Sequence, residues 1–245
     1  MRYLIGIDDT DNPDSRGTGF RARQLSGRLT ETGLAATHGI TRHQLLVHPD
    51  IPYTSHNSSA CLDVDLEPTR FADARGFCRH YLANESADGS DAGLCMAWFD
   101  EVTDDVVDFG RSAKERIVTR DQALELAGRR GVHLEGVTGD HMGVIGALAA
   151  AGLRRGGHDG RFIWLEGVRE LTGTSTAGTL LATTGIDSIE SIDGRPLPPE
   201  AHVGVDPWPR PVLLHGRAVL LVEECEGENE RNSWRILSKE DIRRY

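Results

Sequence analysis

The chain begins with an apolar run, Tyr3-Leu4-Ile5, that ends in Gly6-Ile7-Asp8-Asp9-Thr10-Asp11. A buried strand running into a polar, glycine-bearing loop and then an amphipathic helix commits the N-terminal region to an α/β arrangement. Three carboxylates and one hydroxyl stand together at Asp8, Asp9, Asp11 and Thr10. Such concentrated negative charge is costly unless a cation neutralises it, and hard oxygen ligands favour Mg²⁺ over zinc or copper. An Asx-rich turn after an edge strand accounts for the same residues without any ion.

The next residues, 12–19, are turn formers, and Phe20, Ala22, Leu25 and Leu29 share one face of a helix ending near Gly33. Strand, glycine loop and helix in that order can present helix amides to an anion, although Gly17-Thr18-Gly19 alone is a common βα loop. Leu34 to His38 and Arg42 to His48 read as two strands. Leu62, Val64 and Leu66 alternate with Asp63 and Asp65, the pattern of a half-buried strand. Pro68 opens a helix with Phe71, Ala74, Cys78 and Leu82 on one face, and Leu94 to Phe99 reads as another strand. Together these suggest a βαβ unit within a ferredoxin-like lobe.

Residues 104–130 read as largely helical, with Thr119 and Gln122 spaced as a capping box and Gly131 as the stop. A second glycine-punctuated loop, Thr138 to Gly146, runs into a helix of small residues. Its glycines free helix amides for an anion, but close helix packing alone explains the pattern and is the favoured reading of the residues by themselves. The stretch 196–211 holds six of the ten prolines and reads as an extended connector. Val212 to Val222 reads as strands broken at His215-Gly216, Glu226 to Asn232 as a mobile charged stretch, and Trp234 to Leu237 as a last strand.

A net charge of −11 argues against a general nucleic-acid binder. Positive charge is local: five arginines lie between Asn12 and His48, and a second patch spans Leu153 to His158. Beside an acidic cation site such patches suit a phosphate-bearing small molecule; ordinary surface charge is the alternative. The four cysteines show no Cys-x-x-Cys spacing, which removes zinc-ribbon and thioredoxin-like readings. No apolar run approaches the ~20 residues of a membrane span, and the N-terminus meets acid too early for a secretory signal. The expectation is a soluble, cytoplasmic protein without membrane contact.

Four ordered stretches resemble the archaeal tRNA-isoleucine 2-agmatinylcytidine synthetase (TiaS) family. They are Gly6 to Asp11; Pro49-Asp50-Ile51-Pro52-Tyr53; Gly143-Val144-Ile145-Gly146-Ala147-Leu148-Ala149-Ala150; and Pro209 to Gly216. The resemblance implies a mixed α/β (α+β) fold: a kinase-type core over residues 1–245, with a ferredoxin-like lobe at approximately 60–130 inserted or packed on it. It also implies ATP and Mg²⁺ as cofactors. Asp8, Asp9 and Asp11 would hold the metal, and Thr18, Gly19, Gly139, Gly143 and Gly146 would shape the phosphate site. Asp8, Asp9, Arg21 and His56 are the candidate catalytic residues, Arg21 offsetting developing charge and His56 touching substrate.

The chain departs from the family at two places. Gly17-Thr18-Gly19-Phe20-Arg21 replaces a loop that carries a reactive threonine, and Thr54 to Ser59 replaces a basic segment. The expected function is therefore ATP- and Mg²⁺-dependent phosphoryl or nucleotidyl activation of a small molecule, as a ligase or kinase-type phosphotransferase. The alternatives are a non-catalytic nucleotide-binding sensor or assembly module, and a tRNA-modifying ligase that meets RNA through a partner chain.

Overall fold

The computed structural model describes residues 1–51, 53, 56–225 and 233–244. Pro52, Thr54, Ser55 and the stretch 226–232, read above as motif positions and a mobile tail, lie outside the described residues. The chain divides into two compact units, Met1–Gly156 and Gly157–Tyr245.

The first unit is built on β1 (Arg2–Asp8), α1 (Thr18–Glu31), β2 (Ala35–Gln44), β3 (Ser58–Leu66), α2 (Phe71–Glu85) and β4 (Gly93–Trp98). These strands pair antiparallel in the order β4-β1-β3-β2, which is the βαββαβ arrangement of ferredoxin-like folds. That arrangement therefore starts at β1 and ends at β4, whereas the sequence placed it at approximately 60–130. Then follow α3 (Asp104–Glu115), α4 (Arg120–Arg130), β5 (His133–Gly136) on the free edge of β4, and α5 (Val144–Gly156).

Helices cover both faces of this sheet, which is why β1 is apolar almost throughout. Leu4 joins the core made with Ala147, Leu148 and Ala151 of α5 and Phe109 of α3. Gly6 lies on the same face. A Cβ there would stand 2.1 Å from the carbonyl oxygen of Ala147, so the glycine lets α5 lie directly on the strand.

Three expectations change. The two strands read at 34–48 are one, β2, with a bulge between Thr37 and Gly39. The 62–66 strand is not half-buried, because Asp63 is 1 % exposed and only Asp65 faces solvent. Asp63 accepts from Arg2 Nε at 2.8 Å and Nη2 at 2.6 Å, and from Arg154 Nη2 at 2.6 Å. Arg154 is consequently a buried partner from α5 and not part of a surface basic patch. Local signals elsewhere hold. Thr119 and Gln122 form the capping box of α4, and Gly131 ends it at φ +67°.

The second unit contains β6 (Arg161–Trp164), β7 (Thr174–Thr176), α6 (Ala177–Thr183), β8 (Ser188–Ser191), β9 (His202–Gly204), β10 (Val212–Leu214), β11 (Arg217–Glu224) and β12 (Ser233–Ile236). Strand β11 is its spine, pairing with β10 and β12 antiparallel and with β8 parallel. Its even positions Ala218, Leu220 and Val222 enter one apolar cluster, and Val219 and Leu221 enter another. The break at His215-Gly216 is a two-residue hairpin turn, both residues at positive φ. The proline-rich stretch is not wholly a connector, since β9 lies inside it.

No helix among the described residues is long and apolar enough to cross a membrane.

Candidate functional site

The carboxylate cluster sits where β1 leaves the sheet. Strand alternation would send Asp8 and Asp9 to opposite faces. Asp9 instead takes the left-handed conformation (φ +51°), and both residues line a single pocket. Asp tolerates that region better than most residues.

Asp8 points toward α5. A Cβ on Gly146 would lie 1.8 Å from Asp8 Oδ2, so the carboxylate rests against the bare backbone of the first helical turn. Burial pushes the Asp8 carboxyl up to about 8, with Asp9 and Asp11 adding to the rise and the Asp9 backbone N–H opposing it. Asp9 is pushed up to about 6, again mainly by burial, with Asp91 and Asp11 adding to it. Negative charge is thus gathered here without a compensating side chain strong enough to reverse the effect.

Asp11 plays a different part. Its Oδ1 accepts from the Thr18 N–H at 3.1 Å and from Thr18 Oγ1 at 2.9 Å, so it caps α1 from outside the helix. The Thr18 hydroxyl also accepts from Thr10 Oγ1 at 3.1 Å. Asp11 and Thr18 still line the pocket, but their facing atoms are engaged with each other.

The glycine loop before α5 is tied to the residues before β4. Gly143 N–H donates to the Asp91 carbonyl at 2.9 Å, and Asp140 N–H donates to Asp91 Oδ1 at 2.6 Å. Thr138 Oγ1 donates to the Ser90 carbonyl at 2.7 Å and accepts from Ala92 N–H at 2.8 Å. Gly143 and Gly146 line the pocket, and among the described residues the Gly146 N–H meets no backbone acceptor. An open amide at a helix start, beside carboxylates able to hold a cation, can take one oxygen of an anion.

Seven of the ten candidate site residues line this pocket: Asp8, Asp9, Asp11, Thr18, His56, Gly143 and Gly146. Three do not. Gly19 lies in the first turn of α1 away from the lining. Gly139, at φ +55°, packs on Asp91, where a Cβ would be 1.8 Å from Oδ1. Arg21 lies along α1, where Nη1 meets Gln24 and, at 3.3 Å, Glu85 of α2. Its helical position turns the guanidinium toward that neighbouring helix and away from the strand end.

Other lining residues escaped the sequence reading. They include Leu45 and the α3–α4 connection, with Arg116 and Ile117, whereas Asp50, Ile51 and Tyr53 of the motif quoted above line the pocket as well. Arg116 is the sole arginine or lysine among the described lining residues. Nothing local marks it, because it is remote in sequence from the strand end that carries Asp8, and only the packing of α3 on α5 brings it close. With its mouth included, the pocket offers about 890 Å³ of open space.

The donor set fits magnesium in a particular way. Among the described residues no three His, Cys, Asp or Glu side chains converge on one metal position, so Asp8, Asp9 and Asp11 do not form a ready-made cage. Magnesium bound through one or two carboxylates, with phosphate oxygens and water completing its shell, does not require such a cage.

No protein-family model matches the chain, and no curated protein matches it in sequence. Solved structures do match. The crystal structure of apo TiaS, a tRNA agmatidine synthetase, superposes with a TM-score of 0.54 at 22% identity, over 62% of this chain and 35% of that one. The crystal structure of a tRNA fluorescent labeling enzyme gives 0.54 at 24% identity, over 62% and 36%. A complex of TiaS with tRNA and ATP gives 0.54 at 22%, over 62% and 36%. The chain therefore contains a TiaS-like mixed α/β core and spans about a third of the length of the proteins it resembles.

Proposed function

We propose that the chain binds ATP with Mg²⁺ in the pocket at the end of β1 and activates a small-molecule substrate by phosphoryl or nucleotidyl transfer. One observation carries the reading: the carboxylates of Asp8 and Asp9 share a pocket with the open start of α5 at Gly143 and Gly146. Structures with the same fold include complexes with ATP and with AMPCPP and agmatine, which supports a nucleotide in this chain as well.

Asp8 and Asp9 would hold the ion, with Asp11 orienting Thr18 beside them. When bound there, magnesium would supply neutralisation of phosphate charge. The chain's own residues do the positioning. Gly146 N–H offers a donor to a phosphate oxygen, and Arg116 supplies the positive charge first expected of Arg21. His56 stands in the lining as a substrate contact. Leu45 and Ile51 bring apolar surface to the site, which strengthens electrostatic contacts beside them.

Calorimetry on the full chain tests this. ATP and Mg²⁺ added together should bind and stabilise the fold, by about 2.7 kcal/mol at a hundredfold excess over Kd. Asp8→Asn should remove that response. No heat from ATP with Mg²⁺, and an Asp8→Asn variant indistinguishable from wild type, would sink the proposal.

The engagement of Arg21 with Glu85 favours a second reading, a nucleotide-binding module without turnover. Binding without phosphate release across a broad metabolite panel would select it. RNA as a partner, suggested by the tRNA complexes of the structural relatives, predicts salt-sensitive RNA binding once a partner chain is supplied.

A further inference from the structure

At the other end of β1, away from the carboxylates, a second cleft is lined by Tyr3, Phe71, Trp98, Glu101, Gly131 and the buried Met96. Tyr3 and Trp98 are directly opposed across β1 and β4, so their side chains share a face. Phe71, at the start of α2, packs against Tyr3 with ring centroids 5.6 Å apart and a 34° tilt. With its mouth included the cleft offers about 630 Å³.

Glu101 is the one charged side chain among the described lining residues. Aromatic faces carry the negative lobe of the ring quadrupole. Elsewhere in this arginine-rich chain guanidinium groups stand over four rings, Phe20, Tyr81, Phe99 and Trp208. Among the described residues none stands over Tyr3, Phe71 or Trp98. The C-terminal end of α4 reaches the cleft at Gly131 and brings the negative pole of its dipole. The two arginines of its last turn are engaged elsewhere, Arg129 with Glu125 and Arg130 with Asp105. Glu101 is exposed and makes no ion pair among the described residues.

We infer that this cleft binds a small organic cation, an alkylammonium group held against the partly exposed rings of Phe71 and Trp98, backed by the buried Tyr3, with Glu101 as its counter-charge. Rings suited to a cation, an unpaired carboxylate and a helix carboxyl end converge on one cleft, and an inorganic ion would use the rings poorly. The site is independent of the nucleotide pocket.

The test follows the indole N–H resonance of Trp98 in the ¹⁵N-labelled full chain during titration with choline and with its neutral carbon isostere, 3,3-dimethylbutan-1-ol. Choline should give a saturable shift confined to Trp98 among the tryptophans, in the millimolar range or tighter, and the isostere should bind about 5-fold more weakly. Glu101→Gln, at an exposed position, should weaken choline about 3-fold and leave the isostere unchanged. Phe71→Leu, which keeps apolar volume, should weaken choline more than the isostere. Equal binding of the two probes would make the cleft merely apolar and overturn the inference. Shifts shared by all four tryptophans, or none up to about 20 mM, would do so too.

Discussion

Asp63 and Asp8 are two carboxylates on the same face of one sheet, both turned toward α5, and they end in opposite electrostatic states. Burial pushes Asp63 up, yet Arg2 and Arg154 more than offset it and hold the carboxyl below its usual range. Asp8 meets no such partner and is pushed up to about 8. The helix that delivers Arg154 to Asp63 presents only glycine backbone to Asp8. One charge is completed by the fold, and the other is not. That contrast marks Asp8 as a candidate functional carboxylate more clearly than exposure does.

The largest expected effect comes from breaking the completed pair. Asp63→Ala strips Arg154 of a buried carboxylate and should lower unfolding free energy by about 3–5 kcal/mol, read by denaturant titration. A loss below about 1 kcal/mol would mean the pair is no more than a surface salt bridge in effect.

Next is Gly146→Ala. Its methyl would lie 1.8 Å from Asp8 Oδ2, so the carboxylate or α5 must move, at about 1–3 kcal/mol. Nucleotide binding with Mg²⁺ should disappear while the fold, followed by circular dichroism, persists. Retained binding at wild-type affinity would show that the close approach of α5 to Asp8 is irrelevant to the site.

Asp8→Asn sharpens the comparison through pH. The folded-state carboxyl of Asp8 sits above its unfolded value, so its contribution is fully present below about 4 and is lost as pH rises through about 8. In EDTA, the asparagine variant should therefore be more stable than wild type at pH 8 by at least about 1 kcal/mol, and the gap should close toward pH 4. Asp63→Asn should show the reverse trend, because a depressed carboxyl stabilises above its unfolded value and the benefit vanishes as pH falls. Parallel pH profiles for the two variants would erase the distinction drawn here.

The smallest change in stability is expected at Arg116, an exposed residue whose Nη2 donates to Ser112 Oγ. Arg116→Ala should stay within about 0.5 kcal/mol of wild type in stability but weaken ATP about tenfold. Arg21→Ala, at the α1–α2 pair, should leave ATP affinity unchanged; a tenfold loss there would restore Arg21 to the site.

Much of this molecule was legible because its signals are local. A strand ending in aspartates, the Thr119–Gln122 box, the Gly131 stop and the His215-Gly216 turn each depend on a few adjacent residues. The small-residue helix after Gly143 was legible for the same reason, and so was the general α/β class. Short strands such as His133–Gly136 and Ser188–Ser191 were not, since four residues carry little periodicity and the pairing partner supplies the rest.

The site divides the same way. The sequence by itself determined the inventory: carboxylates at the end of the first strand, and glycines at the start of a later helix. Only the tertiary structure decided their roles. It turned Asp9 beside Asp8 through a left-handed residue, gave Asp11 to the start of α1, sent Arg21 to Glu85 and brought Arg116 to the pocket. The alternation around Asp63 looked like a solvent face because its partners, Arg2 and Arg154, lie 61 and 91 residues away in sequence. A carboxylate's chemistry is set by the charges and dielectric around it, and those belong to the packed chain, not to its neighbours in sequence.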